Sequence, residues 1–278
     1  MGKKRVKDVH VVNKITPHLM PRRTEAELYT LEKLDVTDLL KYLSAKNKEL
    51  PDDEKITIFH AVATAASKMI YHRPFLNRFV KQRKIYQRDE ITIAFVSRRE
   101  FTDESDELLI QVKIDDDDDI LSIRDKITGN VKKARDDDNG MDKLLKTVAS
   151  LPMPILAFIM GMFRLADNLM ILPKVFTEAE PDFATLYLTN LGSIKGGAIY
   201  HHLNNFGTNS LFASMGLVKK ELILIDGKQQ IRDILELGIT MDERISDGFR
   251  SLTAINLLKE IIANPKCLDA KINAELKL

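Results

Sequence analysis

"TMDERISDGFRSL", residues 240–252, decides the fold, because it joins two segments of opposite periodicity through a short charged turn. Before it, "ELILIDGKQQIRDILELGITM" (221–241) reads as two strands around Asp226-Gly227, the dipeptide of a tight hairpin. After it, "FRSLTAINLLKEIIANP" repeats its apolar residues at helical spacing and stops at Asn264-Pro265. The Asp-Glu-Arg-Ile-Ser-Asp-Gly turn between them is one of two polar positions best placed for chemistry. The other is the strand end "LTNLGS" (188–193).

Outward from the turn, strands and helices mix along the whole chain. "FATLYLTNLGSIKGGAIYHHLNNFGTNSLFASMG" (183–216) reads as strand, glycine loop, strand. "ELYTLEKLDV" (27–36) alternates as a strand, and Thr37 then N-caps a short helix. Residues 56–72 place Phe59, Val62, Ala63, Ala66, Met69 and Ile70 on one helical face, which Pro74 ends. "RKIYQRDEITIAFVSRRE" suggests two strands and "ELLIQVKI" (107–114) another; a helix pattern follows, then a turn at "ARDDDNGMDK". No repeat and no Pro/Gly-rich linker interrupts this. The expectation is one mixed α/β domain over residues 21–278, preceded by a frayed basic arm, 1–20.

The 278 residues, 44% of them hydrophobic, suffice for a sizeable core. Forty-two basic residues against 41 acidic leave no global field that would point to nucleic acid or an anionic membrane. The basic N-terminus has no apolar core of a signal peptide, and Val6 stands where myristoylation wants Ser or Thr. A single cysteine, Cys267, fits a reducing, cytoplasmic setting and gives no disulfide or Cys-rich metal site. The apolar stretch 147–172 is broken by Pro152 and Pro154 and interrupted at Arg164. From Ile155 it has the periodicity of a core or subunit-interface helix rather than a membrane span.

Other constellations have plainer readings. The five carboxylates 115–119 lack the spacing and glycine of a calcium loop and suit a solvated helix start. Gly192, Gly196 and Gly197 match neither a dinucleotide nor a Walker loop. His201 and His202, if adjacent on a strand, point to opposite faces and cannot easily share a metal. His60 and His72 fall on or beside a helix as surface or packing residues. No metal site and no Gly-x-Ser-x-Gly elbow is expected.

"DERISDGFRSLTAINLLKEIIANP" resembles the C-terminal segment of the catalytic domain of 2-oxo acid dehydrogenase acyltransferases, and the related chloramphenicol acetyltransferase. Their motif runs His-x-x-x-Asp-Gly, commonly Asp-His-Arg-Val-x-Asp-Gly. Asp242, Arg244, Ile245, Asp247 and Gly248 fit it, and Glu243 takes the histidine's place. "LYLTNLGS" is similar to the family's Ile-Ser-Asn-Leu-Gly strand, with Thr189 at its hydroxyl position. "ELYTLEKLDVTDLLKYL" and the segment from Phe59 to Val96 resemble its opening strand and helix and its Pro-x-Leu-Asn region.

The resemblance implies a mixed sheet with packed helices, a homotrimer or larger trimer-based assembly, and active sites shared between subunits. It implies acyl transfer between coenzyme A, as a substrate, and a thiol or hydroxyl acceptor. No lipoyl-carrying domain is recognised in the chain, so a lipoylated acceptor would be another protein. Position assigns Glu243 as base, Thr189 as oxyanion hydroxyl, Asp247 as the carboxylate that holds the loop by pairing with Arg22 or Arg23, and Asn190 and Gly248 to substrate binding. A free Glu titrates near about 4.3 and a thiol near about 8.5, so Glu243 needs burial to act as base. Its plainer alternative is a loop ion pair with Arg244 or Arg250. A non-catalytic scaffold, or an unrelated reaction on the same fold, stays open beside the enzyme.

Overall fold

In the computed structural model, which describes residues 2–98, 107–136, 147, 148 and 150–276, the run before the 240s turn is one long strand. This strand, β10 (Lys228–Asp242), leaves β9 (Lys219–Ile225) through Asp226 and Gly227, whose φ angles are 49° and 74°. Both are left-handed, as the tight hairpin turn demands, so Asp-Gly announces the hairpin correctly. Beyond Ile234, β10 parts from β9 and enters the main sheet. There it pairs antiparallel with β2 (Glu27–Asp35) on one side and β8 (Leu211–Met215) on the other. The sheet continues through β7 (Leu186–Asn190), β5 (Ile91–Arg98) and β6 (Glu107–Ile114). The β8–β7 and β7–β5 pairs are parallel and β5–β6 antiparallel, which makes the sheet mixed.

Alternation sends one set of side chains to a helical layer. Leu235, Leu237, Ile239 and Met241 of β10 share that face with Leu186 and Leu188 of β7. Against it lie α3 (Ile58–His72), α4 (Ile120–Asp136) and α7 (Gly248–Ala263). Residues 60–70 of α3 are buried without a break, because alanines at 61, 63, 65 and 66 let neighbours approach from every side. Each large aliphatic side chain sealed here contributes about 1.5–3 kcal/mol. The sheet's other face, with Tyr187, Thr189 and Phe212, is not covered by these helices.

A second, three-stranded sheet orders β1 (Lys3–Arg5), β4 (Lys84–Arg88) and β3 (Arg78–Lys81). The expected frayed arm is therefore paired: Lys3, Lys4 and Arg5 lie opposite Arg88, Gln87 and Tyr86. A short helix, α1 (Val11–Leu19), follows. The helix expected to be capped by Thr37 is α2 (Thr37–Lys46), with Val36 as its N-cap. Thr37 N–H donates to Asp35 and its hydroxyl accepts from Asp233 N–H. Of the acidic run, Asp119 caps α4 by accepting from Leu121 and Ser122, while Asp115 and Asp118 hold Lys126. No metal-binding group of carboxylates, His or Cys occurs among the described residues. The turn at "ARDDDNGMDK" falls largely outside the described residues.

The apolar run forms α5 (Met153–Leu169), and a short α6 (Lys174–Ala179) follows. Leu156, Ile159, Phe163 and Ala166 make a half-buried stripe, with the Phe163 ring against Phe176. Phe158, Met162 and Leu165, beside that stripe, are exposed. α5 is thus not core within one chain; its fixed point is the buried Asp167, which pairs with Lys81 and accepts from Gly207 N–H. No helix among the described residues is long and apolar enough to cross a membrane.

Candidate active site

The 240s turn is held by its first acid. Asp242 is fully buried at the end of β10, directly opposite Glu27 in the register. Its carboxylate accepts from Arg244 Nε at 2.8 Å and Nη2 at 2.7 Å, and faces Arg23 Nε at 3.7 Å. Arg244 also donates to the carbonyls of Met20 and Pro21. Arg23 donates to the carbonyls of Asn204, Phe206 and Gly207. Two guanidiniums sharing one buried carboxylate tie the turn to the chain before β2 and to the segment before β8.

The pairing expected between Asp247 and Arg22 or Arg23 is therefore corrected. Arg23 goes to Asp242, whereas exposed Asp247 caps α7, accepting from Arg250 N–H at 2.8 Å. Gly248 is the exposed first residue of that helix, with open space where a Cβ would be. Glu243 is half-buried, and its backbone N–H donates to Ala26. Neither anticipated partner takes its carboxylate: Arg244 is committed to Asp242, and Arg250 lies near Asp247 and over the Phe75 ring.

Thr189 lies on the sheet's open face and lines a cavity of about 400 Å³. Tyr187 and Phe212, stacked at 5.0 Å, share its wall with Val96, Leu109 and Ile199. Asn190 falls on the opposite face by alternation and is not part of this wall. The cavity is roofed by an irregular strap, residues 196–209, pinned at several points. Ser214 hydroxyl accepts from Ile199 N–H at 2.9 Å and donates to its carbonyl. Glu27 accepts from Leu203 N–H, and Asp182 from the Asn204 amide at 2.8 Å. Gly238 of β10 admits the strap, since a Cβ there would sit 2.2 Å from the Ile199 carbonyl oxygen.

The strap carries the residues that sequence reasoning undervalued. His201 and His202 are not on a strand, and their rings stack at 4.7 Å rather than diverging. His201 also stacks on Phe212, with centroids 4.4 Å apart. Its Nδ1 lies 2.7 Å from the His202 carbonyl oxygen. A carbonyl only accepts, so this contact puts the proton on Nδ1 and leaves the Nε2 lone pair free in the neutral ring. Burial raises the pKa values of Glu180 and Asp182, which also line the cavity; Asp182 adds to the rise at Glu180, while the Asn204 amide, Arg23 and His201 oppose that at Asp182. A cavity that combines aromatic and aliphatic walls with shifted carboxylates, an imidazole and a hydroxyl has the composition of a reaction site. The only signal in the sequence was the histidine pair itself. Cys267 is far from this role: burial pushes its thiol pKa up, away from a reactive thiolate.

Thr189 and Glu243 do not meet within one chain. Thr189 is level with Ser214, Ser214 with Gly238, and Glu243 lies five residues beyond Gly238. At strand rise this is about 17 Å along the sheet.

No protein-family model and no curated protein sequence matches the chain. Solved structures do. A probable dihydrolipoamide acetyltransferase from Listeria monocytogenes aligns over 98% of both chains, with a TM-score of 0.63 and 18% identity. A structure described as the cubic core of the pyruvate dehydrogenase multienzyme complex aligns over 95% of this chain and 93% of that one, at 0.64 and 15%. Chloramphenicol acetyltransferase aligns over 94% and 100%, at 0.53 and 8%. The chain thus shares the mixed-sheet fold of these dihydrolipoamide acetyltransferase, pyruvate dehydrogenase core and chloramphenicol acetyltransferase structures.

Proposed function

We propose that this chain is a coenzyme A-dependent acyltransferase whose active site is completed between two copies, Glu243 of one approaching the Thr189 cavity of the next. The carrying observation is that cavity: Thr189 stands in a pocket of mixed polar and apolar walls, about 17 Å from the Glu243 of its own chain along the strands. Tyr29, Leu31, Ile199 and Tyr200, each about half exposed, form an apolar area beside the cavity mouth, to which Ile199 contributes. A second copy covering that area would exclude water and bring in the missing carboxylate. A trimer closes such a head-to-tail contact into a ring.

The chemistry follows from the groups. Glu243 takes the proton from an acceptor thiol or hydroxyl. The freed sulfur or oxygen attacks the thioester carbonyl, and Thr189 hydroxyl donates a hydrogen bond to the tetrahedral oxyanion. Collapse breaks the bond to coenzyme A sulfur, which leaves with the proton returned from Glu243. The Glu243 carboxylate is half-buried and has no ion pair among the described residues, which leaves it available to a second copy.

His201 supports a second reading, in which Nε2 is the base and Glu243 only shapes the site. The observation favouring it is the Nδ1 contact to the His202 carbonyl, in the same cavity as Thr189. Acyl transfer from acetyl-coenzyme A to a small thiol, measured against pH, separates the two. With Glu243 as base, Glu243→Ala lowers kcat/KM at least about tenfold, on the order of 1.4 kcal/mol, while His201→Gln changes it little. With His201 as base the order reverses. Binding of acetyl-coenzyme A without turnover in any variant would instead mark a non-catalytic scaffold.

A further inference from the structure

A second cavity, of about 660 Å³, is lined by Arg23 and shares Asn204 with the Thr189 pocket. Its walls come from the segment before β2, the β3–β4 turn, the C-terminal part of α5 and the strap. Arg22, Arg23, Lys81, Arg83, Arg164 and Arg244 all line it, against a single lining carboxylate, Asp167. This concentration is local, because the chain as a whole is almost neutral.

The six cations fall into two groups. Arg23, Lys81 and Arg244 are buried and already ordered, Lys81 by Asp167 and the two arginines by Asp242 and backbone carbonyls. They form a rigid floor. Arg23 Nε still has no hydrogen-bond partner, only the ion pair with Asp242. Burial lowers the pKa values of both Arg23 and Lys81, so the floor carries its charge at a desolvation cost that an incoming anion relieves. Arg83 and Arg164 stand at the rim with no side-chain partner among the described residues, and exposed Arg22 has only Glu25, at 4.0 Å. Two buried carboxylates against six cations leave an excess that a single monoanion does not neutralise. Planar guanidiniums converging on one space match phosphate oxygens two at a time.

We propose that this cavity binds a phosphoanhydride, a ligand with two or more adjacent phosphate groups. Coenzyme A as a ligand here rests on the acyl-transfer reading, but phosphoanhydride binding does not, because the site uses neither Thr189 nor Glu243 nor His201. Its ligand is coenzyme A, through its pyrophosphate, or a free nucleotide or pyrophosphate.

Inorganic pyrophosphate is the probe, titrated calorimetrically into the full chain. Two rim substitutions test the site without touching its floor: Arg164→Gln on exposed α5, and Arg83→Asn at a turn position with φ 59°, where asparagine tolerates the left-handed backbone. Wild type is expected to bind pyrophosphate at least about tenfold more tightly than the double variant, with binding weakened by added salt. Inorganic phosphate is expected to bind more weakly than pyrophosphate. Displacement of pyrophosphate by coenzyme A assigns the site to the cosubstrate, and displacement by ADP alone assigns it to a free nucleotide; both uphold the site. Equal pyrophosphate affinity in wild type and double variant, or no binding to wild type at millimolar concentration, overturns it. Unchanged thermal unfolding of the double variant excludes misfolding as the cause of a loss. Loss of acyl transfer elsewhere would leave this binding intact.

Discussion

At the scale of single residues, two buried groups set measurable behaviour. His60 is 8% exposed, and burial, reinforced by Arg124, pushes its pKa down to about 4 from an ordinary 6.5. Its Nδ1 accepts the Thr57 N–H at 3.2 Å, closing the cap of α3, which only a neutral Nδ1 can do. As pH falls through 6.5 the unfolded chain takes up a proton that the folded chain refuses until about 4. Stability is therefore full above the upper value and lost across that window, by up to about 3 kcal/mol. Urea unfolding of wild type should show this slope between pH 6.5 and 4, and His60→Gln should flatten it, since glutamine can make the same capping contact. A wild-type slope that survives the substitution would assign the loss to other groups.

Asp242 gives the second residue-scale prediction. Asp242→Ala strands two buried guanidiniums and should cost about 3–5 kcal/mol in denaturant midpoint analysis, with Glu243→Ala close to neutral in stability. The motif made the positions of Glu243 and Asp247 legible in the sequence. It did not reveal that Asp242, not Asp247, receives Arg23. That choice depends on β2 lying opposite β10 with Glu27 level with Asp242, a pairing of residues more than two hundred positions apart.

Among the elements, periodicity, the hairpin dipeptide and the prolines carried the reading well, whereas the cap expected at Thr37 fell one residue earlier, at Val36. The β9–β10 hairpin, β2, β6, α3 and α7 fall where alternation, helical spacing and prolines put them. The short strands β1 and β3, of three and four residues, escaped because so few residues show no period. The strap over the Thr189 cavity escaped for a related reason: it is irregular and held by scattered side chains, so nothing local announces that His201 stacks on Phe212. Gly238 tests its importance. Gly238→Ala places a methyl against the Ile199 carbonyl and should displace the strap, lowering acyl transfer more than it lowers thermal stability. Unchanged activity would mean that the strap does not shape the site. By contrast, Asp247→Ala should cost only the helix cap, about 1 kcal/mol, with the turn geometry preserved by Asp242.

For the whole molecule, the sequence foresaw a mixed α/β fold but could not say what covers its apolar surface. α5 has core-like periodicity, yet Phe158, Met162 and Leu165 are exposed in the single chain, as are Tyr29 and Leu31 on the sheet and Tyr200 on the strap. Exposed apolar side chains clustered in this way mark contact with another molecule. Light scattering after size exclusion should find an assembly of three copies or a multiple of three. Leu31→Asp with Tyr200→Asp should shift it toward monomer and abolish acyl transfer together, as the proposed shared site requires. Monomer that keeps full activity would refute the shared site at this scale.

The most direct measurement is complementation. Thr189→Val and Glu243→Ala, each expressed alone, should transfer acetyl groups from acetyl-coenzyme A to a thiol at least about tenfold more slowly than wild type. Co-expressed, the two variants should form mixed assemblies in which some interfaces join an intact Glu243 to an intact Thr189, and a fraction of wild-type activity should return. No recovery in verified mixed assemblies, or full activity in either variant alone, would contradict a site built from Glu243 and Thr189 of different copies.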